Sequence, residues 1–289
     1  YFTHLLSQNG LPAAAFTGQQ AGILTDDNPG NAEILRINPV RIRATLNAGK
    51  IVVVAGFQGA TSVGDVRTLG RGGSDTSAVT LGSALNAERV EIYSDVDGIA
   101  NCDPRQIPEA SIMGAVSARQ VLSMANEGSK VLHPRAVQAS LKTQTLIVAR
   151  NTFSAASGTT IFHNAPADQS DQVALAHRDE MTLIEFETKT DAQKIVPGMI
   201  RVDECRFVLK KDVYLESRIK ELQNKFGLLR TEDNWATISV VFDKPAPENK
   251  EIPENEIIHS SQNVICYLLK EDLLSTSLRT LYEHYILAV

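Results

Sequence analysis

Five consecutive strand-forming residues, Ile51-Val52-Val53-Val54-Ala55, run into a glycine-rich stretch from Gly56 to Gly73, and that stretch leads into a helical pattern from Thr76 to Ala87. An unbroken apolar run of this length suits a strand buried on both faces. The helix behind it sets Val79, Leu81 and Leu85 among small residues. Together they make a β-to-α step, which confines the fold to sheets with helices packed over them. The neighbouring sequence repeats the alternation. Tyr1 to Leu6 reads as the tail of a helix stopping at Asn9-Gly10, and a strand at Ala13 to Phe16 follows it. Downstream come a strand at Val90 to Tyr93, a helix at Ala118 to Asn126 capped by Ser117, and a strand at Leu146 to Ala149. The expectation up to Phe162 is an α/β domain with a mainly parallel sheet and helices on both faces. Ligands of such sheets bind beyond the carboxyl ends of the strands, here at Gly56 and at Ser94-Asp95-Val96-Asp97-Gly98.

Beyond that domain, placed at 1–163, a polar stretch containing Pro166 suggests a linker over 164–180. The region 181–289 carries an internal repeat. Arg206-Phe-Val-Leu-Lys-Lys-Asp-Val213 returns as Cys266-Tyr-Leu-Leu-Lys-Glu-Asp-Leu273, each a short strand followed by an aspartate opening a helix. The helices match too, with Leu215, Ile219, Leu222 and Phe226 spaced like Leu274, Leu278, Leu281 and Tyr285. Thr182-Leu-Ile-Glu-Phe likewise resembles Thr237-Ile-Ser-Val-Val. Either two amphipathic helices are alike by chance or the region is a smaller α+β module present twice, and the joint match of strands and helices favours duplication.

A net charge of −6 offers no broad basic surface, so neither nucleic acid nor a membrane surface is an expected partner. The three cysteines, Cys102, Cys205 and Cys266, lie far apart without metal-ligand spacing, and no metal site is expected from the protein alone. With no signal-peptide pattern and no apolar run of membrane-spanning length, the expected address is the cytoplasm.

Chemistry concentrates in three segments. Thr68-Leu-Gly-Arg-Gly-Gly-Ser-Asp-Thr-Ser77 places glycines before a helix start, where unpaired N–H groups and the helix dipole suit an anion. Arg71 adds a planar cation for a carboxylate, and Ser74 suits either a helix cap or a ligand oxygen. A plain glycine-rich loop with a solvent-facing arginine fits the same residues. Ser94-Asp95-Val-Asp97, followed by Asp103-Pro-Arg105, suits a nucleotide loop, and equally a plain acidic turn. Gly128-Ser-Lys130-Val131-Leu-His133-Pro134-Arg135 sets Lys130 beside a helix start, with His133 better placed as a cap than as a catalyst.

These segments, with Thr17-Gly-Gln-Gln-Ala-Gly-Ile23, Ala55-Gly-Phe-Gln-Gly59 and Lys130-Val-Leu-His-Pro-Arg135, strongly resemble the aspartate kinase family of the amino-acid kinase superfamily. The duplicated region resembles the paired ACT regulatory domains of that family. The resemblance implies transfer of a phosphoryl group from ATP to the side-chain carboxylate of L-aspartate, feeding lysine, threonine and methionine synthesis. It implies substrate binding by Arg71, Gly72, Gly73 and Ser74, with Arg71 and Asp75 as the catalytic pair. ATP would lie among Ser94, Asp95, Ala100, Arg105, Lys130 and Val131, with Mg²⁺ held mainly through its phosphates. Pairing of chains through the ACT-like region and feedback by lysine or threonine are also implied.

Two departures qualify these expectations. The family's Lys-Phe-Gly-Gly segment, which supplies a lysine to the transferring phosphate, is absent before Tyr1, so Tyr1–Val289 alone is expected to be nearly inactive. Ala100 stands where many relatives carry an aromatic residue near the nucleotide. The rival reading is a non-catalytic regulatory or amino-acid-binding subunit.

Overall fold

The computed structural model of the chain describes residues 1–130, 132–164, 172–196, 198–227, 229–247 and 256–288. It divides into two compact units. One takes Tyr1–Ile99, Met113–Leu122 and Lys130–Ala167; the other takes Ala100–Ile112, Ser123–Ser129 and Asp168–Val289.

Along the first unit run α1 (Phe2–Gln8), β1 (Ala13–Phe16), β2 (Ile23–Thr25), β3 (Ile34–Ile37), α2 (Val40–Asn47), β4 (Ile51–Val54), β5 (Gln58–Ala60), β6 (Val66–Thr68), α3 (Gly73–Leu85), β7 (Val90–Ser94), β8 (Ala115–Ser117), α4 (Ala118–Asn126), α5 (Pro134–Thr143), β9 (Ile147–Asn151) and β10 (Thr159–Phe162). The last turn of α4 belongs to the second unit. The pairs β1–β4, β7–β9, β8–β10 and β2–β5 are parallel, while β9–β10, β2–β3 and β5–β6 are antiparallel. The result is a mixed α/β unit. Its core gathers Phe16, Ala21, Ile23 and Ile42 against Val52, Val54, Leu81 and Leu85, so the two strands and the helix expected from apolar spacing do meet. Ser117 caps α4 by accepting from the Gln120 N–H at 3.1 Å.

The second unit is built on β11 (Val173–Phe186), β12 (Ile200–Arg201), β13 (Arg206–Lys210), α6 (Leu215–Phe226), β14 (Leu229–Phe242), β15 (Glu256–Ser261), β16 (Val264–Lys270) and α7 (Leu274–Tyr282), which ends in a π-helical turn, Glu283–Leu287. The sheet order β12-β13-β11-β14-β16-β15 is antiparallel throughout and reads the same from either end by halves. The duplication is therefore visible in space. β11 and β14 pair at the centre, β13 and β16 flank them, and β12 and β15 form the edges. Each helix buries its stripe in its own core. Leu215 and Leu222 join Phe186 and Phe207, while Leu274, Leu278, Leu281 and Tyr285 join Ile238, Val240 and Tyr267.

Three differences from the sequence reading have physical causes. The linker expected over 164–180 is strand from Val173 onward, where Ala174, Leu175 and Ala176 are all buried and the two alanines give the run only a weak apolar signal. Residues 165–171 lie outside the described residues. The helix expected from Thr76 begins at Gly73, since the left-handed turn at Gly72 sets the chain into helix at once. The boundary near 163 also differs from the division of the contacts, because residues 100–112 pack into the C-terminal core: Cys102 and Ile107 are buried with Leu175 and Tyr282, and Leu175 N–H donates to the Asn101 carbonyl at 2.7 Å.

Candidate active site

The site at the head of α3 is assembled from the backbone outward. β4 ends at Val54, Phe57 adopts a left-handed φ of 69°, and β5 and β6 form a short antiparallel pair that leads back to Leu69. A non-glycine residue in that region is strained, and such strain persists only where surroundings enforce it. Here Ser77 of α3 does so: its hydroxyl accepts from the Phe57 N–H at 3.0 Å and donates to the Gly73 carbonyl at 2.7 Å. Phe57 O in turn accepts from the Leu69 N–H at 2.9 Å. Both ends of the glycine-rich run are thus tied to the helix they precede.

Gly72, at φ 70°, is the N-cap of α3 and makes no side-chain cap bond. A Cβ there would sit 2.1 Å from Cγ of His133, so the imidazole lies directly on the glycine backbone. His133 caps α5, its Nδ1 accepting from the Arg135 N–H at 3.3 Å. Arg135 then clamps the run from outside. Its guanidinium donates to Asn31 Oδ1 at 3.0 Å, to the Ala32 carbonyl at 2.8 Å and to the Leu69 carbonyl. From sequence alone neither Arg135 nor Asn31 carries a sign of this role. Two separate segments meeting one guanidinium leave no short-range signal.

What this scaffold presents is a cationic, partly buried helix start. Arg71 and Ser74 are exposed, Gly73 is buried and Asp75 is half-buried in the first turn. Ser74 lies within that turn, which removes the capping option and leaves its hydroxyl facing outward. The amides of Ser74 and Asp75 have no preceding helical carbonyl to bond. Burial pushes the Asp75 carboxyl above its ordinary value, an effect His133 partly offsets. Burial holds the His133 imidazole below its ordinary value, helped by Arg135 and Arg71 and opposed by Asp75. Arg71, Asp75 and His133 are therefore electrostatic neighbours, and a fixed cation beside two N–H donors can grip a carboxylate.

At the carboxyl end of β7, Ser94 is half-buried and its Oγ accepts from the Val96 N–H at 3.4 Å, while Asp95 is exposed. Asp97 is committed elsewhere: Asn151 and Ser154 donate to it at 2.8 and 2.7 Å, and these bonds hold its carboxyl below the usual range. Lys130 is exposed, and Val131 lies outside the described residues. On the second unit, Ala100 forms a bridge with Ile112. Arg105 is closed on Asp103 through Nε at 3.0 Å and Nη2 at 2.6 Å, which holds the Asp103 carboxyl low and leaves Nη1 for another partner.

Residues 1–150 match the profile of the Amino acid kinase family, which is just over half of the chain. The chain belongs to that family. Among the curated relatives it matches, Aspartokinase 1 of Bacillus subtilis (strain 168) is 45% identical over 160 residues, covering 55% of the chain and 40% of the relative. The chain thus spans about two fifths of that relative's length. Its fold is that of E. coli aspartokinase III, solved with aspartate and ADP in the R-state, at TM-score 0.79 and 23% identity over 98% of this chain and 72% of that one. The T-state of the same enzyme with lysine and aspartate gives TM-score 0.75 at 22% identity, covering 99% of this chain and 72% of that one. No described helix of the chain is long and apolar enough to cross a membrane.

Proposed function

We propose that this protein is an aspartate kinase, transferring the terminal phosphoryl group of MgATP to the side-chain carboxylate of L-aspartate to give 4-phospho-L-aspartate and ADP. The observation that carries this reading is the exposed Arg71 and Ser74 on a helix start whose backbone is locked by Ser77, His133 and Arg135. The guanidinium of Arg71 pairs with a substrate carboxylate, and Gly72, Gly73 and Ser74 let the backbone approach it. No general base is needed, because a side-chain carboxylate with a reference pKa of about 3.9 is already ionised at neutral pH. Catalysis then rests on alignment and charge neutralisation. Asp75 serves to orient a cation rather than to take a proton.

The nucleotide would be held by Ser94, Asp95, Ala100, Arg105 and Lys130, with Val131 assigned, like the others, by family resemblance. Magnesium typically binds one or two carboxylates together with substrate phosphates, and the exposed Asp95 is a donor of that class. The duplicated second unit would act as a paired ACT-like module, joining two copies of the chain and taking lysine or threonine as effector. The aspartokinase III likeness, one form of which holds lysine, supports this at the level of fold.

The test is ADP release by the full-length protein with and without L-aspartate. Aspartate-dependent release is expected, and Arg71→Ala should lower kcat/KM for aspartate about 100-fold while the KM for MgATP stays nearly constant. Binding of aspartate with no release of ADP would favour the non-catalytic amino-acid-binding reading instead.

A further inference from the structure

The last turn of α4 ends in a Schellman arrangement. The Ser129 N–H donates to the Met124 carbonyl at 2.9 Å, the Gly128 N–H to the Ala125 carbonyl at 3.4 Å, and Gly128 takes φ 115°. Glu127 therefore occupies the C-cap. A carboxylate is locally unfavourable there, because the C-terminal end of a helix carries the negative pole of its dipole. The regulatory sheet supplies the compensation. Arg178 of β11 meets Glu127 Oε2 through Nη1 at 3.2 Å, and the hydroxyl of Ser239, fully buried on β14, donates to the same oxygen at 2.8 Å. Nη2 of Arg178 donates to the Asn126 carbonyl, satisfying a terminal carbonyl of the helix. Both charged side chains are about one-fifth exposed, so solvent screens this bridge far less than a surface pair.

Gly128 completes the attachment. A Cβ on it would lie 2.3 Å from the His177 carbonyl of β11, so the cap rests directly on the strand. Lys130 follows two residues later. The strands that pin Glu127 and Gly128 are β11 and β14, the central pair of the duplicated sheet, where the two halves of the repeat join.

We propose that Glu127 is a positioning residue for nucleotide binding: by bridging Arg178 and Ser239 it ties the segment that ends in Lys130 to the centre of the regulatory sheet. The sheet thereby sets where Lys130 stands. The inference rests on the assignment of Lys130 to the ATP phosphates made above.

The experiment compares full-length wild type with Glu127→Gln, Ser239→Ala and the double variant, reading kcat, both KM values, Tm and calorimetric binding of MgATP. Each single variant should raise KM and Kd for MgATP about fivefold or more. The aspartate KM and kcat should stay within about twofold, and the double variant should be no worse than Glu127→Gln because the two residues act through one contact. An unchanged MgATP constant, or equal losses in every parameter together with a lowered Tm, would overturn the proposal. If wild type binds MgATP without turning over aspartate, the kinase reading fails while the binding comparison still decides this one. Wild type that does not bind MgATP would overturn both.

Discussion

At the scale of single residues, the site depends on pairs that a linear reading separates by tens of positions. His133 and Gly72 are the clearest case, since a ring from the start of α5 fills the space a side chain would need at the start of α3. Removing the ring in His133→Ala should cost about 1 kcal/mol through loss of the α5 cap, read as a lower Tm. Gly72→Ala should destabilise strongly in wild type and less in the His133→Ala background, because the collision with the ring is then removed and only the left-handed backbone strain is left. The acid dependence has a definite sign. His133 has a folded-state value below its ordinary one, so its contribution is present above the ordinary value near pH 6.5 and is lost as pH falls through the folded value. Asp75, raised by burial, acts in the opposite sense in the carboxylate range: its contribution is present at low pH and lost as pH rises through its folded value. Melting curves from pH 8 to pH 5 should therefore show falling stability in wild type and a flatter profile in His133→Asn, which keeps a capping oxygen and cannot titrate.

At the scale of elements, what the sequence made legible was whatever repeats at short range. The apolar runs of β4 and β7, the Ser117 cap on α4 and the matched stripes on α6 and α7 all announce themselves within a dozen residues. The strands β2, β3, β5 and β6 do not, being three or four residues long with polar members such as Arg36, Gln58 and Arg67. α2 was hidden for a related reason: of its residues only Ile42 is buried, while Val40 is largely exposed, so it carries no stripe. The Arg71 cradle was legible because glycines and an arginine before a helix are a local pattern; its Arg135 clamp was not, because it spans about a hundred positions. The two copies of the repeat also differ in how deeply they bury equivalent side chains. Leu278 of α7 is fully buried and its counterpart Ile219 of α6 only partly. Leu278→Ala should cost about 3 kcal/mol and Ile219→Ala about 1 to 2 kcal/mol, measured by urea unfolding.

At the scale of the whole molecule, neither unit is one continuous stretch of chain. Residues 100–112 leave the first unit to pack in the second, where Arg279 meets Glu109 at 2.8 Å, the Tyr282 hydroxyl donates to the Glu109 carbonyl at 3.1 Å, and Ile107 is buried. Residues 123–129 do the same through Glu127 and through Ser123, whose hydroxyl accepts from Asn263 at 3.1 Å. A fragment covering only 172–289 would uncover Leu175 and Tyr282 and would lose the bridge from Glu127 to Arg178. It should unfold at markedly lower urea concentration than the second unit does within the intact chain, and supplying 100–129 as a peptide should recover part of the difference.

The same excursions bear on how such a protein can vary over generations. A crossover that exchanged everything after residue 172 for a relative's sequence would bring a sheet shaped for that relative's versions of 100–112 and 123–129 against the ones already present. Substitutions in those two stretches are therefore tied to changes in the C-terminal half, and their variation should follow the history of the sheet they pack on rather than that of the strands on either side of them in sequence.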